Sequence, residues 1–354
     1  MVHNFDSDSC TMLWYTVIES EVHHMQPYTP PFSITNRMLS LVAQIAEKTG
    51  RITSYRSFET KPHLRRNNRI RSIHSSLAIE ANSLSLDEVK SVIDGKTVIG
   101  PEKEIQEVKN AYLAYEMLGD FDPYSIRDLQ KLHGVMTYLT VQESGVFRTH
   151  NEGVFNGDRC IFMAPPPELV PGQVQALFSW MQAARDSVHP LILSSVFHYE
   201  FVFIHPFSDG NGRMARLWQT ALLSQWNLIF QYLPLESHIY AFQEAYYAAI
   251  AACHTVGRSD DFIEFMLDMI DRTLDRALEQ VAERDAYLSE SVQKLLDAME
   301  YDAPYSAAQL MARLHLKSKD SFRKHYLLPA LEKRLIVMSI PDKPTSRNQT
   351  YIKK

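Results

Sequence analysis

Residues 204–216 read Ile-His-Pro-Phe-Ser-Asp-Gly-Asn-Gly-Arg-Met-Ala-Arg, and these residue types suit phosphate chemistry. His205 can take a proton near neutral pH. Asp209 offers hard carboxylate oxygens of the kind Mg2+ accepts. Gly210 and Gly212 let backbone N–H groups, Asn211 among them, approach an anion with no side chain in the way. Arg213 and Arg216 are three positions apart, so on a helix they share a face and can both reach a polyphosphate. Singly, each has a blander use: a capping histidine, an Asp-Gly-Asn-Gly turn, a solvated pair of arginines. Together, at this spacing, they are the parts of a phosphoryl- or nucleotidyl-transfer site, where positioning and charge stabilisation do most of the work.

The flanking sequence must position them. Apolar, helix-like runs precede the loop (191–203) and follow it (214–223). Pro206 cannot continue the first helix. The Gly-Asn-Gly turn then opens the second, whose first N–H groups and partial positive charge favour a phosphate. The predicted order is helix, anion-binding loop, helix.

This loop resembles the signature of the Fic family, His-x-Phe-x-(Asp/Glu)-Gly-Asn-Gly-Arg-x-x-Arg, at every fixed position: His205, Phe207, Asp209, Gly210, Asn211, Gly212, Arg213 and Arg216. The resemblance implies transfer of AMP from ATP to a Ser, Thr or Tyr hydroxyl of a target protein, with self-modification among the expectations. It implies His205 as the base and Asp209 as the ligand of Mg2+ (or Mn2+). The Gly210–Asn211–Gly212 backbone with the Asn211 side chain would cradle phosphates, and Arg213 and Arg216 would hold the β and γ positions. Phe207 is expected to anchor the loop in the core. Members of such a family also move phosphate, UMP or phosphocholine, or remove AMP, and those readings stay open here.

A second stretch, Ser75-Ser76-Leu77-Ala78-Ile79-Glu80-Ala81-Asn82, resembles the inhibitory motif of Fic proteins, (Ser/Thr)-x-x-x-Glu-(Gly/Asn). Ser76 and Glu80 match; Ala81 departs from it. A carboxylate against Arg216 would occupy the place of the γ-phosphate. Strand-like residues on either side of Asn156-Gly157 predict a hairpin, which the resemblance makes a flap that holds a target segment by strand addition. Arg148 lies near it as a secondary site candidate. Tyr246 and Tyr247 correspond to the adenine pocket of the family, with His254 where an Asn is usual.

The remaining sequence bounds the class. The chain has 354 residues, 45% of them hydrophobic and 22% charged, with net charge -6, as in an ordinary globular protein. That balance argues against bulk nucleic-acid affinity but leaves room for a local basic patch. Cys10, Cys160 and Cys253 are scattered, which points to a reducing compartment and away from disulfides or a zinc site. No long apolar run suggests a membrane span, and the polar start is unlike a secretory signal, so a cytoplasmic protein is expected.

The expected fold is mainly α. An extended segment around Trp14, Tyr15 and Val17 precedes a helix from Ser33 to a stop at Gly50. A helix from near Pro62, with its arginines on a solvated face, and one from a capping box at Ser85 follow. Further helices are expected over 107–118, 126–139 and 240–254, then a charged connection over 272–290. Helices around 292–299, 306–314 and 321–333 come last, with strands at 335–337 and 351–352. An N-terminal helical domain (1–118) carries the inhibitory helix, a Fic-type helical core with a β-hairpin flap follows (119–280), and a winged helix-turn-helix ends the chain (288–354). In that last segment Arg313, Lys317, Lys319, Arg323, Lys324, Lys333, Arg334, Lys343 and Arg347 outweigh Asp320, Glu332 and Asp342. DNA contact, homo-oligomerisation and target docking are its alternative uses.

Overall fold

An apolar stripe at helical spacing begins the first helix. The computed structural model describes residues 28–54, 62–156, 159–287, 289–300, 303–344 and 346–353. The extended segment expected around Trp14, Tyr15 and Val17 lies outside them, as does Cys10. Met38, Leu41, Ile45 and Ile52 line the buried face of α1 (Asn36–Ser54). Gly50 does not stop this helix as its sequence suggests. Burying Ile52 half a turn later outweighs the roughly 1 kcal/mol cost of an interior glycine.

Next comes α2 (Pro62–Ile79), which starts on proline and buries Ile70, Ile73 and Leu77. Its arginines are more than a solvated face: Arg66 pairs with Asp94, Arg69 pairs with Glu116, and the Arg65 guanidinium lies 4.3 Å from the centre of the Tyr232 ring. A capping box between Ser85 and Glu88 starts α3 (Leu86–Ile93). The next helix, α4 (Glu102–Glu116), begins five residues before the predicted 107, because Pro101 takes the cap, where no helical N–H is needed. After it, α5 (Ile126–Met136) ends three residues before the predicted 139, where Leu139 turns to positive φ.

The hairpin forms as expected from β1 (Gly153–Asn156) and β2 (Arg159–Met163), antiparallel, with a register shift between Val154 and Phe155. Gly157 of its turn lies outside the described residues. Helices α6 (Val170–Ala184), α7 (Pro190–Ile204) and α8 (Asn211–Trp226) follow. Nearly every side chain of α7 is buried, as is most of α8, and the two pack against each other. They form the rigid centre from which the loop between them projects.

The helix read over 240–254 is two elements, α9 (Leu235–Ala241) and α10 (Gln243–Val256), because Phe242 leaves helical geometry. The charged stretch after 272 is no connection. It continues α11 (Asp260–Tyr287), which contains neither Gly nor Pro to end it.

The chain divides into two compact units, Met1–Ala277 and Leu278–Lys354. The second unit contains α12 (Glu290–Asp297), β3 (Pro304–Ser306), α13 (Ala307–Arg313), α14 (Lys319–Phe322), α15 (Leu328–Glu332), β4 (Ile336–Met338) and β5 (Thr350–Lys353). Its strands form an antiparallel sheet in the order β3-β5-β4 around a core of Val292, Leu295, Leu296, Leu310, Phe322 and Ile336. The three helices and terminal hairpin read from sequence are present. Strand β3 was not anticipated, since three residues carry no readable period. A π turn at 323–327 joins α14 to α15, since Pro329 has no N–H to continue the regular ladder.

Candidate active site

Helix α7 ends on His205, whose φ of 51° and ψ of 58° place it in the left-handed region. Its N–H still donates to the Phe201 carbonyl at 3.0 Å, and Pro206 then turns the chain away. A β-carbon in this conformation costs about 1 kcal/mol or more, so the surroundings must hold it. Arg148 does so. Its Nε donates to the His205 carbonyl at 2.7 Å, and its other nitrogens donate to the carbonyls of Ile204, Pro165 and His150. The arginine read as a secondary contact near the flap is therefore a buried strut under His205. Nδ1 of His205 lies 3.2 Å from the Val202 carbonyl, which can only accept. The proton therefore belongs on Nδ1, and the Nε2 lone pair is left to accept a hydrogen bond. Burial holds the His205 pKa below the usual imidazole range, opposed by the bond to Val202.

The loop itself is pinned from inside. Phe207 is fully buried, as the sequence suggests, and stacks on His133 with ring centres 3.6 Å apart and planes 5° from parallel. Asn211 closes the turn on both sides of Phe207: its Oδ1 accepts the Phe207 N–H at 3.0 Å and its Nδ2 donates to the Phe207 carbonyl at 2.7 Å. The Asn211 side chain thus shapes the loop and is not directed at a phosphate. Only its backbone N–H is left for that role.

Sequence reasoning missed His133. Its Nδ1 accepts the Gly145 N–H and its Nε2–H donates to the Asp209 carbonyl, both at 2.9 Å. Burial pushes its pKa down to about 4, so it stays neutral. Gly210 has φ 82°, and a Cβ there would come within 2.9 Å of Thr137 Cγ2, so the turn at this point needs glycine twice over.

Beyond the turn, the first N–H groups of α8 open beside two buried arginines. Arg213 and Arg216 are 3% and 2% exposed, although both carry charge. Arg213 faces Asp209 at 3.1 Å and Glu107 at 3.3 Å. Its Nε, and NH1 of Arg216, have no hydrogen-bond partner among the described residues. Buried cationic donors with capacity to spare are what a polyphosphate requires.

Arg216 is already engaged by α2. Its Nε donates to Ser76 Oγ at 3.1 Å, and its NH2 donates to the Ser76 carbonyl at 2.9 Å and to Glu80 Oε1 at 2.8 Å. Burial works against the Arg216 charge, but the Glu80 carboxylate more than offsets this and raises its pKa. That carboxylate also lies over Gly212, where any Cβ would collide with it.

The end of α2 sets the reach of Glu80. The Asn82 N–H bonds to the Leu77 carbonyl and the Ala81 N–H to that of Ala78, a Schellman turn with Glu80 as the cap. Ala81 takes φ 64°, the left-handed position that Gly or Asn fills most easily. This is the physical sense of the motif's last position and of the departure there. Asn82 then anchors the turn to Glu107, which also faces Arg213. Glu107 was invisible in the sequence because nothing in the spacing of α4 marks it.

Tyr246 and Tyr247 sit differently from each other. Tyr246 is buried, its hydroxyl 2.9 Å from His198 Nε2; burial raises its pKa, opposed by the nearby charge of Arg216. It therefore lies behind the cradle. Tyr247 is half exposed, and its hydroxyl donates to the Ile79 carbonyl at 3.4 Å, beside Glu80. His254 stacks on Phe162 of β2, ring centres 4.2 Å apart, against Tyr199 and Phe203.

Residues 123–223 match the Fic/DOC family, and residues 290–352 match the C-terminal domain of Fic-like (filamentation induced by cAMP) proteins. A solved Fic family protein from Desulfovibrio desulfuricans G20 is 41% identical, with 92% of this chain and 98% of that one covered at a TM-score of 0.71. The chain belongs to the Fic family. Curated Fic relatives include the protein adenylyltransferases Fic of Nematostella vectensis and Culex quinquefasciatus, each 30% identical. The matches cover 43% and 58% of this chain and 36% and 41% of those proteins. The chain thus spans about two fifths of the length of these relatives.

The fit of the Fic core to a divalent cation can be tested on Asp209. Its Oδ1 is taken by the Gly210 N–H and by Arg213, while Oδ2 lies 3.9 Å from Lys103 on a side chain that is 43% exposed. No group of three or more potential ligand side chains occurs among the described residues. One reachable carboxylate beside an anion cradle fits Mg2+ that arrives with a nucleotide and keeps its phosphate and water ligands. It does not fit a cation caged by protein alone.

Proposed function

We propose that this Fic protein transfers AMP from ATP to a hydroxyl of a protein substrate, and that Glu80 restrains it at rest. The carrying observation is the convergence of an Nε2 lone pair on His205 with the buried donors of Arg213 and Arg216 at one helix start. The names of the curated relatives support the same reading. In the reaction the target oxygen bonds to the α-phosphorus of ATP, the bond from that phosphorus to the β-bridging oxygen breaks, and diphosphate leaves. The hydroxyl proton passes to His205 Nε2.

Backbone N–H groups at the start of α8 receive the phosphates, Arg213 neutralises the β region, and Arg216 takes the γ-phosphate. Asp209 is the residue that would hold Mg2+, which when bound neutralises the phosphate charge. Glu80 and the γ-phosphate compete for Arg216, so the carboxylate must withdraw before ATP binds productively. Tyr247, next to Ile79, borders that exchange.

Intact-mass measurement after incubation with ATP and Mg2+ tests this. The wild-type chain should gain little mass. Glu80→Gly should gain one or more AMP units on itself or on an added target, and Glu80→Gly with His205→Ala should lose the gain by ~10²–10⁴ in rate. Label followed from α-labelled rather than γ-labelled ATP separates AMP transfer from phosphate transfer. Retention of the γ label on protein, or full activity without His205, would overturn the assignment.

A further inference from the structure

In the second unit, residues 313–347 carry nine lysines and arginines against three aspartates and glutamates, inside a chain whose net charge is -6. The fold sorts these charges. Helix α13, the turn at 314–318 and the continuous helical run 319–332 make a helix-turn-helix. One face of that run, with Phe322, Leu327 and Ala330, is buried in the core of the unit. The other presents Lys319, Arg323 and Lys324 to solvent, with Asp320 as the carboxylate among them. Lys317 precedes it in the turn, and Lys343 and Arg347 stand exposed on the loop between β4 and β5. Among the described residues none of these six cations makes an ion pair with a carboxylate.

From this placement we infer that the second unit binds duplex DNA, with the helical run 319–332 in the major groove and the β4–β5 loop on the neighbouring backbone. A helix about 10–12 Å across matches a B-form major groove of about 12 Å, and it brings side chains one turn apart to successive phosphates. A loop beyond the helix that carries two further cations matches the adjacent backbone. The deep, narrow major groove of A-form RNA would not admit the helix. An acidic protein would meet the charge but has no use for the groove-sized spacing.

The test uses the full chain and a fluorescent mixed-sequence DNA duplex of about 30 base pairs, titrated by anisotropy from 50 to 200 mM KCl. With six phosphate contacts, log Kd against log salt should have a slope of magnitude near 5, so affinity should fall about 10³-fold across that range. Arg323→Gln with Lys324→Gln should lower the slope by about 2 while the thermal unfolding profile stays as in wild type. Should that pair disturb the helix, Lys343→Gln with Arg347→Gln, on the loop, should give the same loss of slope. Three results would overturn the inference: no binding at 50 mM KCl, a slope unchanged by both pairs, or a matching RNA duplex or polyglutamate that binds the same surface as tightly. None depends on whether the first unit transfers AMP.

Discussion

His205 is held neutral for two physical reasons. Burial disfavours the imidazolium, and the Val202 carbonyl accepts the hydrogen bond from Nδ1–H, which leaves a lone pair on Nε2. The sign of the pH dependence follows. The active form is deprotonated and its pKa lies below the ordinary 6.5, so kcat/KM for AMP transfer by Glu80→Gly should fall in acid with a midpoint below pH 6.5. A fall that begins above pH 7 would mean that another group limits the reaction.

His133 acts one step back from the reacting atoms. His133→Ala would leave the Asp209 carbonyl and the Gly145 N–H without partners and would remove the face on which Phe207 stacks. Two lost hydrogen bonds in a buried setting should cost about 2–4 kcal/mol of stability, measurable by urea unfolding. If His133 positions Asp209, His133→Gln should raise the Mg2+ concentration needed for half-maximal transfer more than it lowers the maximal rate.

At the scale of elements, the site is a meeting of α2 and α8. Arg216 on α8 answers to Ser76 and Glu80 on α2, and the angle at which Glu80 leaves α2 is set by the Schellman turn behind it. Ala81 bears the left-handed φ without glycine's freedom, so Ala81→Gly should stabilise the fold by about 1 kcal/mol and raise the melting temperature while the Glu80 contact persists. A melting temperature that falls instead would show that the greater freedom of glycine in the unfolded chain outweighs the relief of strain. The hairpin and α7 form the other element pair, joined by Arg148, whose guanidinium bridges the Pro165 and His205 carbonyls.

Across the whole molecule, stability reflects buried titratable groups that oppose one another. His133 and His198 are fully buried with pKa values lowered to about 4 and about 3. The unfolded chain takes up their protons below about 6.5 and the folded one does not, so each subtracts about 2 kcal/mol at pH 5. Glu200, which accepts the Tyr28 hydroxyl at 2.7 Å, runs the other way. Burial raises its pKa to about 7, so its contribution is present at low pH and is lost as pH rises from about 4.5 through 7. The two histidines lose about 4 kcal/mol and Glu200 returns about 2.5, so the wild-type melting temperature should fall modestly between pH 7.5 and 5. Glu200→Gln removes this partial compensation, and its melting temperature should drop more steeply with acid, by the equivalent of about 2.5 kcal/mol at pH 5.

What the sequence by itself determined is local. The order helix, loop, helix around residue 205 follows from apolar runs, Pro206 and the paired glycines, all within one stretch of chain. The hairpin at 153–163, the capping box at Ser85 and the three helices and terminal hairpin of the second unit were equally legible, because caps, turns and periods act between near neighbours. Where local signals were weak, reading failed: Gly50 inside α1, Phe242 between α9 and α10, and the continuation of α11. At Gly50, burial of Ile52 outweighed a propensity worth about a kcal/mol. The tertiary structure alone decided which distant residues share the site. That Arg216 lies 2.8 Å from Glu80, that His133 holds Asp209, that Glu107 faces Arg213 and that Asn211 turns inward to Phe207 are packing outcomes with no sequence period. The sequence names the groups that can handle a phosphate, and only the packing of α8 against α2 brings Glu80 onto Arg216.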